Sequence, residues 1–396
     1  MISQLLKYSI LRRRQPLPDY RRFLFGSIDP DARLIGIVGA RGAGKTTLAL
    51  QYLESLELEE DEALYLSCDH PALAGSTLLE VAEEASRYGV RALVIDEIHK
   101  KEHFATDLKN IYDFLDLRVL FTGSSAIHLE RSQSDLSRRA LLYHLPELSF
   151  REFLEIKTGE HFPAVTLDEL LDGHIVQASR ILRRVKPLKY FGDYLRYGAY
   201  PFFVEGESSY PQRLLQILNE TLREDIAVVY GVKLPHIAAL HRVLEALCRS
   251  EPYEINYEKI AAAAEISRQT LRQYLYYLEE GSLTRRIGGE ARGNRYIAKP
   301  DKLYLHNTNL FEILCPDPKA GTRRETFFAQ SVGYGYDLHY PRKGDFLISG
   351  KYTVEIGGAK KDFAQIRDLP EAFVAADGIE TGFGNRIPLW LFGFLY

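Results

Sequence analysis

Residues 34–46 read LIGIVGARGAGKT: a short apolar run, a glycine-rich loop and a Lys-Thr pair. The run LIGIV has the length and near-continuous apolarity of a strand covered on both faces. The stretch after the loop, TLALQYLESLE, carries helical periodicity. Strand, G-x-x-x-x-G-K-[ST] loop and helix in that order specify a phosphate-binding P-loop. Its glycines let backbone N–H groups curl around a β-phosphate at the positive end of the following helix. Lys45 is then expected to reach the β- and γ-phosphates and the Thr46 hydroxyl to ligate Mg²⁺. The expected ATP pocket is Gly39, Ala40, Arg41, Gly42, Ala43, Gly44, Lys45, Thr46 and Thr47.

Such a loop needs a second, acidic strand end. Residues 92–97, ALVIDE, supply one, with Asp96 placed for the Mg²⁺ shell and Glu97 to polarise the attacking water. A further apolar run, RVLFTGSSA at 118–126, ends in polar residues. If its strand lies beside the P-loop strand, Thr122 or Ser124 can sense the γ-phosphate or the water. Arg138 and Arg139 precede another apolar run, ALLYHL. An arginine there can act as a finger on the γ-phosphate, in cis or across a subunit interface. The alternative is a solvated charge pair.

The runs at 34–38, 63–67, 91–95 and 118–122 alternate with helical segments, which predicts a doubly wound parallel sheet and an α/β class. At 396 residues the chain is too long for one ordinary core. Shifts in pattern place domains at 1–150, 151–240, 241–317 and 318–396. The second of these reads as mainly helical, with breaks at Gly192, Pro201, Pro211 and Pro235.

The segments GARGAGKTT, LVIDEIHK, LFTGSS, RRALLYHLPELSFREFL and YGAYPFF together resemble the prokaryotic AAA-type ATPases of the archaeal-ATPase-like group. That resemblance implies a P-loop NTPase domain of the AAA type, then a helical lid and winged helix, then a small α/β nuclease-like domain. It also makes Arg139 the family's arginine before the last core strand.

Residues 257–297 fit the winged helix. An alanine-rich helix, a turn at Glu265-Ile266 and a helix opening at the N-cap Ser267 form a helix-turn-helix. With Leu271, Leu275 and Leu278 inward, Arg268, Gln269, Arg272 and Gln273 face outward, residue types suited to phosphates and base edges. Residues 283–287 and 295–298 read as the wing strands, with Arg292 and Arg295 at the tip. Duplex DNA is one expected partner. Docking on protein is the other, because Glu279, Glu280 and Glu290 dilute the basic face.

In the last segment, Glu325 sits on an expected helix, Asp345 opens one strand and Glu355 lies near the end of the next. By resemblance to restriction-endonuclease-like folds these are the acidic metal-binding positions. The lysine expected two residues past the Glu is Gly357, and the nearest lysines are Lys360 and Lys361. Both an active nuclease and a degenerate fold used for binding therefore stay open. The final apolar run, IPLWLFGFLY at 387–396, reads as a core strand.

Net charge is −4, so any DNA affinity has to come from a local basic patch. No apolar run approaches the roughly 20 residues that span a bilayer, so no membrane partner is expected. Cys68, Cys248 and Cys315 are far apart and lack metal-ligand spacing, which fits reduced thiols in a cytoplasmic protein. The partners expected are ATP, duplex DNA, and a second copy or another protein.

Overall fold

Five strands, β1 (Leu34–Val38), β2 (Ala63–Ser67), β3 (Ala92–Asp96), β4 (Arg118–Gly123) and β5 (Leu141–His144), pair wholly in parallel in the order β2-β3-β4-β1-β5. Helices α1 (Ile2–Arg13), α2 (Lys45–Ser55), α3 (Leu78–Arg87) and α4 (Phe104–Phe114) accompany them. The apolar runs are continuous because both faces are covered. Leu34, Leu64, Leu66, Leu93, Ile95, Val119 and Phe121 pack with residues of α1, α3 and α4. The alternate residues Ile35, Ile37, Ala63, Ala92, Val94 and Leu120 pack with Leu48, Ala49, Tyr52 and Leu53 of α2. Period-two alternation thus feeds two cores, each large side chain adding roughly 1.5–3 kcal/mol. This is the α/β P-loop NTPase fold expected from the sequence.

The computed structural model describes residues 1–123, 136, 138–250, 256–289, 302–315 and 317–396, in two compact units, Met1–Glu147 and Leu148–Tyr396. In the first, β2 is an edge strand whose free side is occupied by α1. The Tyr65 N–H donates to Ser9 Oγ at 2.8 Å, and Arg13 Nη1 donates to the Ala63 carbonyl at 2.9 Å. The edge is thereby closed to foreign strands. Local signals fix the helix starts: Thr77 and Glu80 form a capping box on α3.

The second unit opens with helices α5 (Phe150–Thr158), α6 (Leu167–Leu182), α7 (Pro187–Tyr197), α8 (Tyr210–Glu220) and α9 (Leu234–Arg249). Next come α10 (Tyr257–Ala263) and α11 (Arg268–Glu280), then an antiparallel pair, β6 (Thr284–Ile287) and β7 (Lys302–Leu305). Helix α12 (Ala320–Val332) leads into β8 (Leu338–His339), β9 (Phe346–Ile348), β10 (Tyr352–Gly357), β11 (Ala372–Ala376) and β12 (Arg386–Pro388). The sheet order is β12-β11-β10-β9-β8, parallel from β10 to β12 and antiparallel at β9 and β8. The segment YGAYPFF serves this core, with the Ala199 N–H donating to the buried Asn309 Oδ1 at 2.8 Å.

Three expectations are corrected here. The partner of β6 is Lys302–Leu305, whereas residues 295–298 lie outside the described residues. Of the apolar run at 387–396 only Ile387 and Pro388 are strand, within β12, and Leu389–Phe394 is a 3₁₀ helix with all six residues buried. An unbroken apolar run suits either form, and here Phe150 and Trp390 both pack against Phe394. Finally, Cys248 and Cys315, 67 residues apart, meet with Cα atoms 6.0 Å apart and are joined as a disulfide, so only Cys68 is a free thiol. Burial pushes the Cys68 thiol up to about 12.

Candidate nucleotide site

The P-loop leaves the C-terminal end of β1 and enters α2 at Lys45. Gly39 has to be glycine, because a Cβ there would stand 2.1 Å from the Leu145 carbonyl oxygen. Gly44, with φ +97°, turns the chain into the helix in a left-handed conformation. Lys45 is 5% exposed, and its Nζ donates to the Gly39 and Ala40 carbonyls, both at 2.9 Å. A buried ammonium held on the loop's own carbonyls, at a helix N-terminus, is chemistry suited to an arriving phosphate. Arg41, Gly42, Ala43, Thr46 and Thr47 stand in the same loop and first turn.

Beside Lys45, Thr46 Oγ1 donates to Asp96 Oδ2 at 2.8 Å. The other Asp96 oxygen accepts the Thr122 hydroxyl, and Thr122 Oγ1 in turn accepts the Glu97 N–H at 3.2 Å. Thr122 is fully buried, so one β4 hydroxyl locks both acidic residues at the end of β3. Glu97 adopts φ +55°, unusual for a non-glycine residue and characteristic of strained functional positions. Its Oε2 lies 3.3 Å from His99 Nε2. The neighbouring β2 adds a donor that sequence reading missed: Tyr65 OH reaches Asp96 Oδ2 at 2.8 Å. A tyrosine in an apolar run reads as core, and nothing in its spacing marks it.

Arg22 was missed as well. It is 6% exposed and donates to the carbonyls of Ala43 at 2.6 Å, Pro146 at 2.8 Å and Glu147 at 3.1 Å. A guanidinium with several fixed donors thus ties the P-loop to the exit of β5. Ser124 lies outside the described residues. Arg139 stands two residues before Leu141, which pairs with Ile35, so it sits at the strand end opposite the P-loop. There it makes a bidentate pair with Asp113 at 2.8 and 2.9 Å. The P-loop of its own chain is roughly 20 Å away at about 3.3 Å per strand residue, beyond an arginine's reach, so a finger in cis does not fit this arrangement.

In the second unit, Glu325, Asp345 and Glu355 are all buried. Tyr304 OH donates to Glu325 Oε2 at 2.8 Å. Burial and then the charge of Asp345 push the Glu325 carboxyl up to about 7, against Lys302 and the Tyr304 hydrogen bond. Asp345 is raised by burial, although the Ile356 N–H donates to its Oδ2 at 2.7 Å. Glu355 is raised by burial too, opposed by Lys361, whose Nζ lies 2.5 Å from Oε1. Gln365 completes the surroundings of Glu355, with its amide nitrogen 2.7 and 3.2 Å from the two oxygens. Lys361, four residues past Gly357, therefore does return to the acidic strand. Among the described residues no group of three His, Cys, Asp or Glu side chains is arranged to hold a metal ion.

On α11, Arg268, Gln269 and Arg272 are exposed, and Leu271, Leu275 and Leu278 are buried. Arg268 pairs with Glu258 at 3.3 Å, and both arginines lie 5.7 Å from the centre of the Tyr257 ring. Glu265, at φ +56°, makes the turn before α11. Arg295 lies outside the described residues.

Residues 31–154 match the family model described as an AAA domain. This stretch, on the α/β P-loop NTPase fold, is similar to an AAA domain. Its match takes in the P-loop, Asp96, Glu97 and Arg139. Residues 188–318 match a second model, a domain of unknown function, DUF8612, which includes Arg268, Gln269 and Arg272 but not the three carboxylates. An uncharacterized protein of Methanocaldococcus jannaschii is 28% identical over 384 residues, covering 88% of this chain and 80% of its own. Solved structures similar to the chain include AMPPCP-bound DnaA from Aquifex aeolicus, with a TM-score of 0.28 and 16% identity over 65% of this chain and 84% of that one. The Hsp104–ADP complex of S. cerevisiae has a TM-score of 0.31 and 18% identity over 68% of this chain and 41% of its own. At these TM-scores neither likeness bears on what this chain does. No helix among the described residues is long and apolar enough to cross a membrane.

Proposed function

We propose that the first unit binds ATP with Mg²⁺ and hydrolyses it to ADP and phosphate, and that the nucleotide state governs the second unit. The observation carrying this reading is the convergence of Lys45, Thr46, Asp96 and Glu97 at one end of the sheet. Oxygen donors from Thr46 and Asp96 suit a hard cation. When bound, Mg²⁺ supplies charge neutralisation on the phosphates. Lys45 holds the β- and γ-phosphate oxygens. Thr122 keeps Asp96 and the Glu97 backbone in fixed register, and the Glu97 carboxylate accepts the proton of the attacking water. The water oxygen bonds to the γ-phosphorus as the bond to the β,γ-bridging oxygen breaks, and ADP leaves. With its pairing at the far strand end, Arg139 suits a finger offered to another copy rather than to its own nucleotide. Purified protein is expected to hydrolyse ATP only with Mg²⁺ present. Absence of turnover at every Mg²⁺ and ATP concentration, with and without duplex DNA, is the result against it.

Duplex DNA is the partner proposed for the second unit, through Arg268, Gln269 and Arg272 of a winged-helix arrangement. Contacts of this kind give steep salt dependence.

A second reading, metal-dependent cleavage of DNA by the second unit, is favoured by one observation, the return of Lys361 to Glu355 beside Asp345. It predicts nicking with Mg²⁺ or Mn²⁺ that Asp345→Ala and Glu355→Ala both remove. DNA left intact in every form, with ATP and either metal, rejects cleavage and leaves a binding fold.

A further inference from the structure

We propose that Tyr65 is a positioning residue for the metal-side carboxylate Asp96, holding it ready for Mg²⁺ before the ion arrives. The proposal rests on the ATP reading above. A carboxylate oxygen accepts along two lone-pair directions. Asp96 Oδ2 accepts from Tyr65 OH and Thr46 Oγ1, each at 2.8 Å. The Thr46 hydroxyl would hold Mg²⁺ through an oxygen lone pair while its proton stays on Asp96, so that bond belongs to the metal site itself. Tyr65 is not a ligand and holds the same oxygen independently of the ion. With Thr122 on the opposite oxygen, it holds Asp96 from both sides.

The tyrosine is itself fixed by the fold rather than by the site. Its backbone lies on β2, where it pairs with Val94 of β3, and its N–H is held by Ser9 of α1. One helix outside the strand order therefore helps to hold the backbone from which the tyrosine projects. Outer-sphere partners of this type orient a ligand, and losing one costs roughly 10–100-fold in metal affinity.

The test is Tyr65→Phe, which keeps the ring and deletes only the hydroxyl. Binding of a fluorescent ATP analogue is measured in EDTA and across an Mg²⁺ titration, with thermal melting alongside. The expected result is metal-free binding within about twofold of wild type, and an Mg²⁺ midpoint raised roughly 10-fold. Turnover at saturating Mg²⁺ should recover. An unchanged Mg²⁺ midpoint overturns the proposal, as does an equal loss of metal-free and metal-dependent binding, which is the mark of a merely structural tyrosine. If the wild-type chain binds no nucleotide under any condition, the ATP reading itself has failed, and this proposal with it.

Discussion

Replacing Lys45 by Ala is expected to weaken nucleotide binding and to cut ATP turnover by at least about 10²-fold, the scale seen when one preorganised donor to a developing charge is removed. The ammonium is buried and already desolvated against the Gly39 and Ala40 carbonyls. Its attraction for phosphate is consequently far less screened than that of a surface lysine. The same burial makes Lys45→Ala hazardous for the loop, because two carbonyls lose their donor. Lys45→Met keeps most of the volume, which separates lost packing from lost charge. Without nucleotide it should melt closer to the wild-type temperature than Lys45→Ala, and neither variant should gain thermal stability from ATP and Mg²⁺. Hydrolysis by either variant at the wild-type rate would remove the P-loop from the mechanism.

Glu97→Gln is expected to behave differently, retaining nucleotide and losing hydrolysis. The amide matches the carboxylate in shape but cannot take a proton from water, and general-base assistance is worth roughly 10²–10⁴-fold in rate. The backbone of residue 97 is held independently of its side chain, through the N–H to Thr122 Oγ1, so the substitution should leave Asp96 in place. Single-turnover hydrolysis and fluorescent-nucleotide binding on the same preparation check this. A variant that hydrolyses within twofold of wild type would reassign the base, whereas one that no longer binds ATP would make Glu97 a structural residue.

Much of the candidate site was legible along the chain. The P-loop depends on a contiguous strand, loop and helix, and contiguity is what a sequence displays. Asp96 and Glu97 could be read because an acidic pair closing an apolar strand is a local pattern. Tyr65 and Arg22 could not: each acts on a residue 31 or 21 positions away, and each sits in a segment whose local pattern fits core or loop equally well. Lys361 shows the same limit from the other side, since its spacing from Glu355 gave no sign of the ion pair that the chain's path after Gly357 makes.

The sequence by itself determined the strands of the first sheet, the parallel doubly wound class and the phosphate loop, because period-two burial and a short motif act within a few residues. Tertiary structure alone decided what holds that site in place. Hydrogen bonds from Thr122, Tyr65 and Arg22 join strands and loops that the chain separates widely, and only the sheet order brings them within reach. It also decided that Arg139 stands at the far end of its strand from the P-loop, because parallel register fixes which end of β5 lies beside which end of β1.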